Sequence, residues 1–331
     1  MPQDPVDWPD RARRLGAALP VERAHADVVA LLRDAEGGSA RVVAACSGGA
    51  DSVCAALWTW AHFPGLRSAL VLAHYDHAVR GEASAGDRTF VAALAKGLKV
   101  ACEAGTAPGW DAGDRPSEAA LRDARMGFLK TVCRSRGEAA ALLVTGHHLN
   151  DVAETQLMRL ARGAGPAGLA APRPIAQWRD GCRIARPFID LEKRDLVRAL
   201  RDAGADWRED ASNADPAYFR NRIRADVLPA WIEASGQDAP AGAGLTRRWM
   251  EEAEQALEAW VDGLFPVFPG RGDSLELSAL VDAPKAVWRR AIRRWISEQS
   301  ELQPFTKEGF ERLLDRMMAP ADETGPERRF S

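Results

Sequence analysis

The chain predicts an α/β fold: a doubly wound parallel sheet followed by a smaller, mostly α-helical C-terminal domain. Three observations lead there. Short, near-continuous apolar runs alternate with helix-period stretches between residues 42 and 162, which is how parallel strands covered on both faces read in sequence. The first run, Val42-Val43-Ala44-Ala45-Cys46, stops in Ser47-Gly48-Gly49-Ala50-Asp51-Ser52 and gives way to a helical pattern with Val53, Ala56, Leu57 and Trp60 on one face. Beyond residue 244 the apolar spacing is helical almost throughout.

In order, residues 1–40 read as a helical lead-in, and strands are expected at 42–46, 69–73, 98–102 and 141–145. Helices are expected at 51–61, 84–96, 117–136 and 150–162. Gly163-Ala164-Gly165-Pro166 opens a more irregular stretch, in which a strand-like 182–185 leads through Arg186-Pro187 to a helix at 192–203. An Asp/Asn-rich loop at 209–215 precedes a helix at 218–234. Residues 239–244, rich in Ala and Gly, read as a linker. Helices at 245–264, 278–300 and 306–318 follow, with a brief strand at 274–277. The expected domains are therefore 1–238, with a core at about 41–165, then 245–320, and a polar tail at 321–331. In such a sheet the ligand sits at the carboxyl ends of the strands.

At 331 residues the chain is long enough to bury a substantial core in two domains. Its net charge of −3 means that a polyanionic partner must be met by a local basic patch. The N-terminal residues have no apolar core of leader length and no segment is apolar for long enough to span a bilayer, so a cytoplasmic protein is expected. Cys46, Cys54, Cys102, Cys133 and Cys182 are scattered without a C-x-x-C pair, which argues against a disulfide framework or a cysteine-held metal.

Strand, glycine turn and helix start together make a phosphate site. The glycines let backbone N–H groups approach an anion, and the helix start adds its unpaired N–H groups and dipole. Ser47 and Ser52 supply hydroxyl donors, and Asp51 a carboxylate suited to a metal ion on the phosphates. No lysine follows the glycines, so the loop is neither G-x-x-x-x-G-K-[ST] nor G-x-G-x-x-G. The same residues also describe an ordinary Gly-Gly turn with a first-turn carboxylate.

Four further clusters fall at strand ends or helix starts. The second strand runs into Ala73-His74-Tyr75-Asp76-His77-Ala78-Val79-Arg80-Gly81-Glu82, which suits nucleotide positioning or a solvated loop. A zinc site at His74 and His77 lacks partners at metal-site spacing. On the helix beginning S-E-A-A-L-R-D-A-R, Arg122 and Arg125 share a face, and Glu118 is spaced to pair with Arg122. The fourth strand enters Thr145-Gly146-His147-His148-Leu149-Asn150-Asp151-Val152-Ala153-Glu154, whose carboxylates suit a helix N-terminus, a magnesium ion or an amine substrate. Last, Asn213 precedes Tyr218-Phe219-Arg220-Asn221-Arg222-Ile223-Arg224, a set suited to an RNA backbone with splayed bases or to a solvated helix face. Arg289-Arg290-Ala291-Ile292-Arg293-Arg294 is a weaker candidate of the same kind.

The 47–52 loop resembles the signature of the PP-loop ATP pyrophosphatases, and the segments in order resemble the tRNA(Ile)-lysidine synthases. That resemblance spans about residues 41–231. It rests on S-G-G-A-D-S, A-H-Y-D-H-A-V-R-G-E, S-E-A-A-L-R-D-A-R, T-G-H-H-L-N-D-V-A-E-T, R-G-A-G-P-A-G-L, A-R-P-F and D-A-S-N-A-D-P-A-Y-F-R-N-R-I-R. It implies an adenine-nucleotide alpha-hydrolase-like fold and an ATP-dependent carbon–nitrogen ligase. Such an enzyme joins L-lysine to C2 of the wobble cytidine in a CAU-anticodon isoleucine tRNA, through an adenylated cytidine. ATP and Mg2+ are implied with it.

By match to the motifs, Ser47, Gly48, Gly49, Ala50, Asp51 and Ser52 would hold the phosphates, with Asp51 on the metal. His74, Asp76 and His77 would lie near the nucleotide. Arg122, His148, Asp151 and Glu154 would join Asp51 in catalysis. Arg125 would face tRNA, and Arg186, Asn213, Arg220, Asn221, Arg222 and Arg224 would face tRNA or close the site. Asn150 stands where the family often has Asp, and Met126 where it often has Tyr. The region after residue 244 resembles the family's smaller helical, tRNA-binding domain in length and pattern, in a compact form. The alternatives are another PP-loop tRNA enzyme such as a thiolase, marked by clustered cysteines that this chain lacks, and a non-catalytic tRNA-binding protein on the same fold.

Overall fold

Val42, Val43 and Ala44 have no solvent exposure, because β1 (Arg41–Ala45) lies inside a six-stranded sheet. β2 (Leu70–Asp76) and β4 (Ala141–Val144) flank it, both parallel. β3 (Ala101–Thr106) lies outside β2. On the other side β6 (Arg183–Ala185) continues in parallel and β5 (Ile175–Gln177) closes the sheet antiparallel, giving the order β3-β2-β1-β4-β6-β5. The computed structural model describes residues 6–38, 40–77, 82–107, 116–134, 141–178, 181–209, 215–266, 274–299, 305–319 and 329–330. They fall into two units, Met1–Arg248 and Trp249–Ser331.

In the first unit the pleat of β1 sends alternate side chains to opposite faces. Val42 and Ala44 join a core built with α1 (Trp8–Ala18), α2 (Ala26–Glu36), α3 (Ala50–His62), α4 (Glu82–Leu98) and α8 (Lys193–Asp202). Val43 joins a second core beneath α5 (Glu118–Arg134). Both faces are covered, so the sheet is doubly wound as its apolar strands require. The chain leaves β3 through α5 and re-enters beside β1 as β4, so the strand order reverses at β1 and β4. The carboxyl ends of those two strands frame the crevice where ligands of such sheets bind.

Several elements differ from the sequence expectations. The third strand starts at Ala101 instead of residue 98, because α4 runs to Leu98 and Lys99 turns the chain with φ 58°. The antiparallel β5 carries no alternation long enough to be read. After α6 (Leu149–Leu160) and the short α7 (Pro166–Leu169), the helix expected at 218–234 divides into three. These are α9 (Phe219–Arg222), a π-turn (Ile223–Val227) and α10 (Leu228–Ser235). Residues 239–244 are not a linker: they begin α11 (Ala239–Leu264). Their smallness serves close approach to α6, since Gln156 Nε2 donates to Ala243 O at 3.1 Å and a Cβ on Gly244 would stand 2.5 Å from Leu149 Cδ1.

The second unit packs Val261, Phe265, Val287, Trp288, Ile292, Trp295, Phe310 and Leu314 together. They come from α11, α12 (Lys285–Glu298) and α13 (Lys307–Met318), beside a small ladder of β7 (Leu275–Glu276) and β8 (Arg329–Phe330). The arginine run on α12 is not an open basic face. Arg289 pairs with Glu311 at 2.8 Å, Arg290 with Glu254 at 2.9 Å and with Glu258, and Arg294 with Glu258 at 3.0 Å and Asp262 at 2.5 Å. Glu254, Glu258 and Asp262 recur every fourth residue along α11 and so present one acidic stripe to these arginines. Among the described residues no helix is long and apolar enough to cross a membrane.

Candidate active site

The phosphate loop leaves β1 and enters α3 with Gly49 in extended conformation as the cap. Gly48 has φ 95°, and a Cβ there would meet Arg208 Cγ at 3.5 Å and Phe90 Cδ1 at 3.6 Å; a left-handed backbone and a packed flank together call for glycine. The two hydroxyls tie the loop to itself. Ser52 Oγ accepts from Ser47 N at 3.1 Å and donates to Gly49 O at 2.9 Å, while Ser47 Oγ accepts from Gly49 N at 3.3 Å. The end of β4 presses against the start of α3: a Cβ on Gly146 would stand 2.2 Å from Asp51 O. Glycine at 146 is what lets the two strand ends share one crevice.

Across that crevice runs a chain of charges. His148 Nε2 lies 3.5 Å from both Asp51 Oδ2 and Asp151 Oδ2. Asp151 Oδ2 accepts the His148 backbone N–H at 3.0 Å and so caps α6. Its Oδ1 takes Arg220 Nη2 at 2.7 Å, and the same guanidinium reaches Glu154 Oε2 through Nε at 2.7 Å. Arg224 holds Glu154 with two bonds, 2.6 and 3.0 Å. Glu154 is 1% exposed, and two guanidiniums replace the water its carboxylate has lost. Burial opposes the charge on His148, yet Asp151 and Asp51 outweigh it and raise its pKa. Burial likewise opposes ionisation of Asp151, but His148 and Arg220 hold it well below the usual carboxylate range.

The remaining expected residues surround this chain unequally. Burial, with Arg122 next, lowers both Arg125 and Arg186 to about 10, and the Nε of each is buried without a hydrogen-bond partner. Both remain protonated at neutral pH, and together with exposed Arg122 they form a cationic flank that favours an anion. His74 is buried, its Nδ1 3.0 Å from Cys46 O, directly behind the loop. Asp76 ends β2 and His77 follows it, with the His77 ring against Tyr75 at 5.1 Å. Asn221 Nδ2 donates to Asp215 O at 2.9 Å. Arg222 is exposed and donates to Pro216 O and Ala217 O at 2.6 and 3.0 Å. The Arg220 and Arg224 guanidiniums point inward to the carboxylates of Asp151 and Glu154. Asn213 and residues 78–81 lie outside the described residues.

Three contributors were given no role in the sequence reading. Lys193 opens α8, far along the chain from the loop, and brings its Nζ within 3.7 Å of Asp51 Oδ2. Its backbone N–H donates to Asn150 Oδ1 at 3.0 Å, so Asn150 caps α8, a task that Asp would also perform. His147 Nδ1 lies 2.8 Å from Thr145 Oγ1. Burial drives its pKa far down; Asp151 opposes this, and Arg186, Arg220 and Arg125 reinforce it. Arg208 donates its backbone N–H to Gly48 O at 2.8 Å. Lys193 and Arg208 carry no local signal, because tertiary structure brings them in, whereas His147 lies within the fourth-strand cluster itself. A cavity of about 450 Å³ adjoins the network, lined by His148, Asn150, Glu154, Lys193 and Arg224 and by the apolar wall Leu228, Pro229 and Ile232.

A sheet of this order with a Ser-Gly-Gly cradle at its switch point defines a PP-loop protein, and a family profile described as a PP-loop domain matches residues 21–231. The chain is 36% identical to a tRNA(Ile)-lysidine synthase of Thermobifida fusca over 84% of this chain and 83% of that one. It is 35% identical to that of Salinispora tropica, over 78% and 76%. With the Bacillus subtilis synthase the identity is 31%, over 83% of this chain and 59% of the relative. A solved structure, the U34-tRNA thiolase NcsA from Methanococcus maripaludis with its [4Fe-4S] cluster, shares the fold with a TM-score of 0.52 and 14% identity, covering 73% of this chain and 79% of that one. The chain belongs to the tRNA(Ile)-lysidine synthase family of PP-loop proteins.

Proposed function

We propose that this chain is an ATP-dependent carbon–nitrogen ligase that forms lysidine at the wobble cytidine of a CAU-anticodon isoleucine tRNA. The single observation that carries the reading is the joining of the phosphate loop, through Asp51 and His148, to the Asp151–Arg220–Glu154–Arg224 network beside the cavity. One crevice thus offers an anion cradle and carboxylates for an amine. The family supports ATP as co-substrate.

In the first step the cytosine O2 forms a bond to the α-phosphorus of ATP, and the α–β phosphoanhydride bond breaks to release pyrophosphate. This step asks for alignment and charge neutralisation, more than for an enzymic nucleophile. Residues 47–52 hold the β- and γ-phosphates, and Lys193 supplies near Asp51 the cation that the loop sequence lacks. The residues fit a magnesium ion, since Asp51 Oδ1 is buried without a hydrogen-bond partner, and one carboxylate plus phosphate oxygens is an ordinary magnesium environment. Bound there, the ion would neutralise charge on the phosphates. His74, Asp76 and His77 line the nucleotide side.

In the second step the neutral lysine ε-nitrogen bonds to C2, the C2–O2 bond breaks so that AMP departs with that oxygen, and the nitrogen passes one proton to solvent. The cavity suits such a substrate: Leu228, Pro229 and Ile232 receive the methylene stem, and Glu154 faces the amine end. Asp151, held ionised, orients rather than accepts a proton. Arg122, Arg125 and Arg186 form the flank toward the cytidine's phosphates, and Asn213, Asn221 and Arg222 contact tRNA further out. The second unit adds tRNA contacts, and the protein works in the cytoplasm. A thiolase chemistry finds less support, because burial pushes the Cys46 thiol behind the loop up to about 11.

The test is direct. Protein, ATP, magnesium, labelled lysine and CAU-anticodon isoleucine tRNA are incubated, and the tRNA is digested. A lysine-bearing nucleoside is expected, and folded protein with active controls that yields none would overturn the reading.

A further inference from the structure

We propose that Arg208 is a phosphate-binding residue of the loop, contacting the terminal phosphates of ATP and the departing pyrophosphate. The inference rests on the ATP-dependent reading above. The 47–52 loop carries hydroxyls, N–H groups and a carboxylate but no cation, whereas a polyphosphate is held best by charge-assisted donors.

Arg208 is fixed to the loop before any ligand arrives. Its backbone N–H donates to Gly48 O at 2.8 Å, and its stem crosses Gly48, with Cγ 3.5 Å from the place a Cβ would occupy. The neighbours of Arg208 hold this segment down: Trp207 packs against the main core, and Asp206 pairs with Arg11 at 2.6 Å.

The guanidinium then lies at the rim. Its Nε donates to Asp87 Oδ1 at 3.2 Å, and its Nη2 stands 3.2 Å from the place a Cβ on Gly86 would occupy. Asp87 is buried, while the Arg208 side chain is 49% exposed. A buried carboxylate on Nε orients the fork, and an exposed fork can take an anion on its other edge. Arg208 therefore supplies charge on the Gly48 side of the cradle, opposite in sequence and origin to Lys193 on the Asp51 side.

The experiment measures equilibrium binding of ATP, inorganic pyrophosphate and AMP, each with magnesium, to the full chain and to Arg208→Ala, Arg208→Lys and Asp87→Asn. Arg208→Ala is expected to weaken ATP and pyrophosphate by about tenfold or more and AMP by less than about twofold. Arg208→Lys should recover part of the loss. Asp87→Asn, which keeps the cation and the stem, should retain pyrophosphate binding within about threefold. Equal losses for AMP and ATP, or a loss in Asp87→Asn matching that in Arg208→Ala, would make Arg208 a structural tether and overturn the proposal. No loss in Arg208→Ala would overturn it as well. Lysine incorporation is not part of the readout, so a failed ligase assay with this binding pattern intact would sink the ligase reading and spare Arg208.

Discussion

Asp51 faces two demands at once. Its Oδ2 lies near His148 and Lys193, while its Oδ1 is buried and unpaired. A carboxylate in the first turn sits favourably in the field of the helix start, and the buried oxygen is not spent on a protein donor. His148 sits between Asp51 and Asp151, and its raised pKa has a consequence for stability. A group whose pKa rises on folding stabilises fully below its unfolded value, here 6.5, and that contribution fades as pH climbs through the folded value. His148→Asn should therefore lower the thermal midpoint more at about pH 6 than at about pH 9. A difference that grows with pH would mean that His148 is neutral in the fold. Asp51, Asp151 and Glu154 were legible in sequence because they sit inside local turn-and-helix motifs. Lys193 and Arg208 were not, since nothing near them in sequence was read as more than an ordinary loop or helix start, and His147 lay inside such a motif without a role of its own.

At the scale of elements, the site exists because two strand ends approach closely. Gly146 is the contact point, with no room for a Cβ against the Asp51 backbone. Gly146→Ala should cost about 2–3 kcal/mol of stability through forced displacement, read as a lowered urea midpoint with unchanged slope. An unchanged midpoint would show that β4 retreats without penalty. The parallel strands and most helices were readable from apolar periodicity, which is strongest in buried, regular segments. The misplaced pieces have specific causes. Lys99 resets β3 by a left-handed turn. The π-turn at Ile223–Val227 interrupts a pattern that otherwise reads as one helix, and such widened turns occur often at functional sites. Residues 239–244 look like a flexible linker in composition, yet the same smallness permits close helix packing, and composition alone does not separate the two.

Across the whole molecule, the chain keeps many of its arginines from solvent. Arg220 and Arg224 are committed to Asp151 and Glu154, and Arg290 and Arg294 to the acidic stripe of α11. Arg222 is exposed. If it meets an RNA phosphate, Arg222→Ala should weaken tRNA binding and reduce the slope of log affinity against log salt by about 0.7–0.9. Arg294→Ala should leave that slope unchanged, because its charge is already balanced within the second unit. Equal slope changes for the two variants would show that the α12 pairs open on RNA. Sequence ranked the 289–294 run as a weaker candidate of the same kind without revealing its ion pairs, since pairing with carboxylates distant in the chain leaves no trace in local composition.

The central claim is that a phosphate cradle and an amine-binding carboxylate network form one site running two steps in order. Asp51→Ala and Glu154→Gln, compared in tRNA-dependent ATP–pyrophosphate exchange and in lysine incorporation, divide those steps. Asp51→Ala should lose both activities by about a hundredfold or more while still binding tRNA. Glu154→Gln should keep exchange within about tenfold and lose lysine incorporation. Exchange that survives Asp51→Ala, or a Glu154→Gln variant that loses both activities alike while remaining folded, would contradict this account.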